Sequence, residues 1–286
     1  MCLPCLRELG FGPLPIFIAL IFFIQTFAIY ALAVIRGDVD PIFPYISSAA
    51  DKRPESCIFA MGTNISSFLV LFMIYVRYNQ MVGIINAHHD FQLAKWNYMA
   101  KCFGYLAATG MFVVANVQET AITQVHMTAA ICTFGGFTIW MTFQCYLTKY
   151  YNENITHYSV YVYRVVFTIL SAIFFFTSIG FGTAAAYVFH LTYPDLPTPR
   201  PWNRRIYQPG YHLHQVSAFA EWGCAISQVL FMQSFIPEFE DVFIEYRFAG
   251  RYAYLPEPPR PPTQEEIDAE DHRLAEEFRM SIGRFM

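Results

Sequence analysis

Asn64, Asn116, Gln118, His126, His214 and Glu221 are the side chains that could do chemistry here, because each sits in or at the edge of a long apolar stretch. Two histidines and a glutamate can ligate zinc or serve catalysis, but no His-Glu-x-x-His segment or comparably tight pair is present, so no metal is expected. Polar groups in hydrocarbon cost several kcal/mol unless they are paired. All six residues fall toward one leaflet, so they are expected to pair with one another beneath the loops there. His214 and Glu221 are seven residues apart, on one helix face but about 10 Å apart along it, too far for a direct bond. Each needs a partner from another helix, and for Glu221 the expected partners are Asn64, Gln118 or His126. Four readings are open: a polar lock joining the bundle to its loops, a site for a lipid headgroup or sterol, a catalytic or metal site, and a path for an ion or solute. In an acidic compartment His126, His190, His212 and His214 would change charge and bias the loops.

The elements that position these residues are six apolar stretches, at about 13–35, 57–78, 98–117, 123–147, 160–189 and 213–236. A helix of roughly 20 apolar residues matches the ~30 Å hydrocarbon core of a bilayer. The first stretch exceeds the h-region of a signal peptide and is expected to stay as an anchor. Hydrophobic residues make up 55% of the 286, aromatic residues 18% and charged residues only 14%. That leaves too little polar surface to solvate a globule, which excludes an ordinary soluble domain. The net charge of -4 and the lack of a basic stripe exclude a nucleic-acid partner. The fold expected is all-α: a six-helix transmembrane bundle over residues 1–236, with ordered luminal loops and a short cytoplasmic tail over 237–286.

An even number of crossings places both termini on one side. Arg7, Arg77, Lys95, Lys101, Lys149, Arg164, Arg247 and Arg251 fall on that side, against Arg36, Lys52, Arg53, Arg200, Arg204 and Arg205 opposite. The excess, eight to six, predicts cytoplasmic termini. The sequon Asn154-Ile155-Thr156 then lies in the cytoplasm, and a glycan on it would invert the topology. The proline-rich loops 36–56 and 190–212 face the lumen as a stiff cap. In the fifth stretch Ser178, Gly182 and Ala186 form a small-residue face for packing inside the bundle.

The remaining features read more weakly. Cys102, Cys132, Cys145 and Cys224 are packing residues, and Cys57 has no evident mate. Cys2 and Cys5 are palmitoylation candidates. Asp38 and Asp40 begin like a calcium loop that does not continue, and read as solvated charges. In the tail, Tyr252 and Leu255 fit a tyrosine-based sorting signal, and Phe239 to Val242 fits an aromatic-x-x-aliphatic strand-addition motif for autophagy proteins. Thr263-Gln264-Glu265-Glu266 is a capping-box pattern opening a short acidic helix.

Taken together, Pro44-Tyr45-Ile46-Ser47, Pro54-Glu55-Ser56 with Ile58-Phe59, Tyr75-Val76-Arg77-Tyr78, Ala115-Asn116 with Gln118, His126, Thr133-Phe134-Gly135, and Gly210-Tyr211 with His214 and Glu221-Trp222 resemble the DRAM group of the Frag1/DRAM/Sfk1 membrane protein family. Where that branch carries an Asp-Thr-Gly-like turn, this chain has Ser48-Ala49-Ala50. The resemblance implies a six-span protein of lysosomal or other endomembranes that modulates autophagy, with no accepted catalysis and no cofactor. It also brings two alternatives: a lipid-remodelling factor of the GPI-anchor type, or a plasma-membrane scaffold for a phosphoinositide kinase. The partners expected are membrane lipids, with sorting adaptors and autophagy proteins at the tail.

Overall fold

A computed structural model of the chain describes residues 10–42, 44–150, 157–200, 202, 208–243, 260 and 262–283. Among these every regular element is helical: α1 Pro13–Ile35, α2 Ile46–Ala49, α3 Glu55–Ala87, α4 Gln92–Asn116, α5 Thr123–Tyr150, α6 Tyr158–Thr192, α7 Tyr211–Gln233, α8 Ile236–Glu240 and α9 Gln264–Gly283. Two compact units result, residues 1–243 and 244–286. The candidates Cys2, Cys5, Asn154, Tyr252 and Leu255 lie outside the described residues.

In the first unit the six long helices close a ring. Neighbours follow the order α1, α3, α4, α5, α6, α7, and α7 returns to α1. Four of them, α1, α3, α4 and α6, are long and apolar enough to cross a membrane. The polarity of α5 and α7 is turned into the protein: α5 buries His126, Thr133, Gln144 and Thr148, and α7 buries His214, Ser217, Ser227 and Gln228. α6 does the reverse. Only 6% of its most apolar window is buried, and Phe176 is 69% exposed. Apolar side chains out and polar side chains in is the pattern that lipid imposes, and the chain is a multi-pass membrane protein.

Each end of the ring is finished differently. At one end, α2 and the segments 36–42, 44–54, 117–122, 193–200, 202 and 208–210 form a cap. Gly210 starts α7 at φ +88°, and a Cβ there would lie 2.4 Å from the Ala185 carbonyl oxygen, so only glycine fits. The small-residue face of α6 packs on α7: Ser217 Oγ donates to the Ser178 carbonyl at 2.5 Å, and Gly182 leaves room for Ser217 and Tyr45. Asp40 is not the solvated charge expected from sequence. It is buried, and accepts the Tyr211 hydroxyl at 2.6 Å and the Ile42 amide at 3.2 Å.

At the other end α3 runs nine residues past Tyr78, the expected end of the span, because Met81 and Ile85 pack on Leu93 and Leu147. Arg77 and Arg164 do not face the aqueous side. Both are buried, and between them lies Glu238 of α8, with Oε2 at 2.5 Å from Arg77 Nη1 and Oε1 at 2.7 Å from Arg164 Nη2. Gln144, Gln80, Thr148 and Ser234 accept further guanidinium N–H groups, and the Phe235 ring lies 4.2 Å from Arg164 and 5.0 Å from Arg77. The same helix overturns the strand-addition motif. Phe239 is fully buried in α8, stacked on Phe235, and its carbonyl accepts the Phe11 amide at 2.8 Å. A partner strand cannot reach it there.

The second unit contains α9. Thr263 and Glu266 form the capping box expected from sequence: the Thr263 amide donates to Glu266 at 2.8 Å and the Glu266 amide to Thr263 Oγ1 at 3.4 Å.

Candidate functional site: a capped cavity inside the ring

All six long helices line a cavity of about 310 Å³, within the range of small-molecule sites. Its wall runs along α7 from His214 near the cap to Met232, roughly 27 Å at 1.5 Å per residue. The deep part is apolar, with Ile18, Phe22, Phe134, Ile179, Val229 and Met232. The capped end is polar.

Its polar groups are held by the cap. Pro44 O accepts the Trp222 indole N–H at 2.8 Å, which pins the start of α2 against α7. Tyr45 donates to Ser217 Oγ at 2.5 Å, since the Ser217 proton is already given to Ser178 O. Burial pushes the Tyr45 phenol above its ordinary range, so it remains a donor. Glu221 faces inward and accepts from the backbone amides of Ile46 and Ser47, the free donors of the first turn of α2. His214 lies flat against Trp202, with ring centroids 5.0 Å apart, and edge-on to Tyr45 at 4.7 Å. His126 Nδ1 is 2.5 Å from the Val117 carbonyl oxygen, which can only accept. The ring proton is therefore on Nδ1, leaving Nε2 as an acceptor.

The six residues expected to pair do not form one cluster. His126, His214 and Glu221 line the cavity together. Asn64 and Asn116 instead bond each other through both amides, at 3.2 and 2.8 Å, on the more exposed side of α3 and α4. Gln118 is not among the lining residues, and its backbone carbonyl accepts from Ala121 at 3.1 Å. Glu221 thus takes none of its three expected partners: backbone amides satisfy it at lower conformational cost than a side chain would. The loop motif divides as well. Tyr45, Ile46 and Ser47 line the cavity, whereas Pro54, Glu55 and Ser56 start α3 elsewhere in the cap, where buried Glu55 pairs with Arg36 Nε at 3.1 Å. Among the described residues none of His126, His190, His212 and His214 forms an ion pair with a carboxylate, and no three His, Cys, Asp or Glu side chains converge to hold a metal.

Two important members were not found from sequence. Glu119, 4% exposed, pairs with Arg200 and accepts the Ser48 hydroxyl at 2.8 Å, tying three cap segments together. A signal existed: Glu119 is the single acid between Asp90 and Glu153. Gln25 of α1 donates Nε2 to Thr63 Oγ1 at 3.0 Å, and it too was visible as the sole amide in the first apolar stretch.

A ring of helices with an outward apolar coat and a capped, polar-ended interior defines a class: an all-helical, multi-pass membrane protein with an internal binding-sized cavity. Residues 10–242 match the family model described as Frag1/DRAM/Sfk1/Cwh43P N-terminal domain, and the chain belongs to that family. It is 30% identical over 222 residues to DNA damage-regulated autophagy modulator protein 2 of Homo sapiens, covering 74% of this chain and 78% of that protein. It is 29% identical over 213 residues to DNA damage-regulated autophagy modulator protein 1 of Homo sapiens, covering 74% and 84%. Similarity to the modulator of macroautophagy TMEM150B of Danio rerio is 29% over 139 residues, covering 48% and 57%. No solved structure matches the chain.

Proposed function

We propose that this chain is a non-catalytic protein of lysosomal or other endomembranes that crosses the bilayer six times, keeps both termini in the cytoplasm, and modulates autophagy through the state of its capped cavity. The names of its relatives support the autophagy role, since three of them are called autophagy modulators. The observation that carries the binding reading is how the polar groups are used. Tyr45 is held by Ser217, His126 by Val117, Glu119 by Arg200 and Ser48, and Glu221 by two backbone amides. None of these is a nucleophile poised against a base. They shape a receptor and couple its mouth to the cap.

In cells lacking the endogenous protein, re-expressed wild type restores autophagic flux, and Glu221→Gln changes that flux while the variant still reaches the same compartment in normal amounts. Unchanged flux with normal trafficking overturns the reading. Residence in the Golgi or endoplasmic reticulum favours lipid remodelling instead, and residence at the cell surface favours a kinase scaffold.

A further inference from the structure

One acid in the cavity wall lacks a counter-charge. Several of the donors around it are held within the protein: Tyr45 by Ser217, Gln25 Nε2 by Thr63, Thr133 by Ala129 O, and Gln228 Nε2 by Phe134 O at 2.9 Å and Ser171 Oγ at 3.1 Å. Arg200 at the mouth is neutralised by Glu119.

Three acceptors remain in the cavity wall. With Nδ1 given to Val117, His126 keeps a bare Nε2; with Nε2 fixed by the Phe134 carbonyl, Gln228 presents an oxygen. Glu221 is a carboxyl with no basic side chain bonded to it among the described residues, and two lone-pair directions remain beyond those facing Ile46 and Ser47.

We propose that the cavity is a binding site for a membrane amphiphile whose head donates hydrogen bonds, a hydroxyl or an ammonium group, with its apolar body lying against Phe22, Phe134, Val229 and Met232. This rests on the reading of the cavity as a receptor and adds the chemistry of its ligand. An anionic head is disfavoured, because it would bring further acceptors against Glu221 and His126. Two sources share the required chemistry, a sterol hydroxyl and the amine of a long-chain base.

The test uses the full chain in phosphatidylcholine nanodiscs with three photo-crosslinking probes: a sterol, a long-chain amine and a fatty acid, each carrying a diazirine and an alkyne. Labelled peptides are mapped by mass spectrometry. The expected result is labelling of cavity-wall segments of α1, α5 and α7 by the sterol or the amine about tenfold above the fatty acid, the ratio that one charge-assisted hydrogen bond supplies. Labelling by the sterol alone identifies the hydroxyl source, and labelling by the amine alone the ammonium source. Glu221→Lys reverses the preference toward the fatty acid. Should that variant fail to fold, Ala130→Phe, which fills the cavity from α5, abolishes cavity labelling by all three probes while leaving labelling of the outer face of α6 unchanged. Equal labelling by the three probes, a preference for the fatty acid in wild type, or labelling confined to the outer face overturns the proposal. Such a failure is distinct from failure of the autophagy reading, which is measured by flux and compartment and not by probe chemistry.

Discussion

Glu238 is the residue on which the uncapped end of the bundle turns. One carboxylate lies between two fully buried guanidinium groups, and removing it would leave two uncompensated charges in a dry interior. Glu238→Ala is expected to destabilise the purified protein by about 3–5 kcal/mol in thermal unfolding, and Glu238→Gln, which keeps the shape and some hydrogen bonds, by less. No local pattern of residues marks this cluster. Arg77 closes an apolar window and reads as a charge on the terminal side of the membrane, and its partner lies 161 residues further along the chain. Asp38 shows the opposite case, a pair at the surface. Lys52 Nζ at 2.8 Å, with Arg36 beside it, holds the Asp38 carboxyl below the usual carboxylate range. Because the folded value is lowered, the pair's contribution is complete above the unfolded carboxylate pKa and is lost only as pH falls through the lowered value. At about pH 5 the cap should keep this contact. An NMR titration of carbon-labelled aspartate should place Asp38 below free aspartate, and Lys52→Ala should raise it.

Among the elements, α6 and α7 show how far a sequence can be read. The limits of α1 were legible from apolar run length alone, since it begins and ends where expected at Pro13 and Ile35, whereas α3 runs on from the expected end at Tyr78 to Ala87. What could not be read was which polar side chains meet. Position along each helix places Asn64, His126 and Glu221 toward one end, but rotation about the helix axis decides the rest, and that depends on packing between helices. Hence Asn64 finds Asn116, while Glu221 finds the start of α2, a four-residue helix too short to leave a periodic signal. The α6–α7 junction itself makes a clean prediction. Gly210→Ala forces a Cβ onto a left-handed backbone and against the Ala185 carbonyl, and should cost at least about 1–2 kcal/mol. Gly180→Ala, on the same α6 with nothing near its added methyl, should leave the melting temperature unchanged or slightly raised. Equal losses from both substitutions would contradict this account of the junction.

For the molecule as a whole, orientation is the property that ties cavity to compartment. The proposed orientation, six crossings with cytoplasmic termini, would put the cap, with its serines, tyrosines and buried Glu119, in the lumen. The burial of Arg77 and Arg164 weakens the charge count behind that orientation, since both are neutralised inside the protein and are not free to meet the membrane surface. A direct measurement therefore carries the weight. Tags at either terminus should be reached by antibody once the plasma membrane alone is permeabilised, and Asn154 should carry no glycan; a glycan at that site reverses the assignment.

Ring closure has an implication for synthesis. α1 meets both α3 and α7, so the wall is incomplete until the last long helix has been made. Until then Arg77 on α3 and Arg164 on α6 stand without Glu238, the carboxylate that finally lies between them. During insertion these groups need water, the translocation machinery or a lipid for company. A ribosome stalled before Tyr211 would hold a chain with an open seam, and quality control that scans for polar side chains in the bilayer would find its target there.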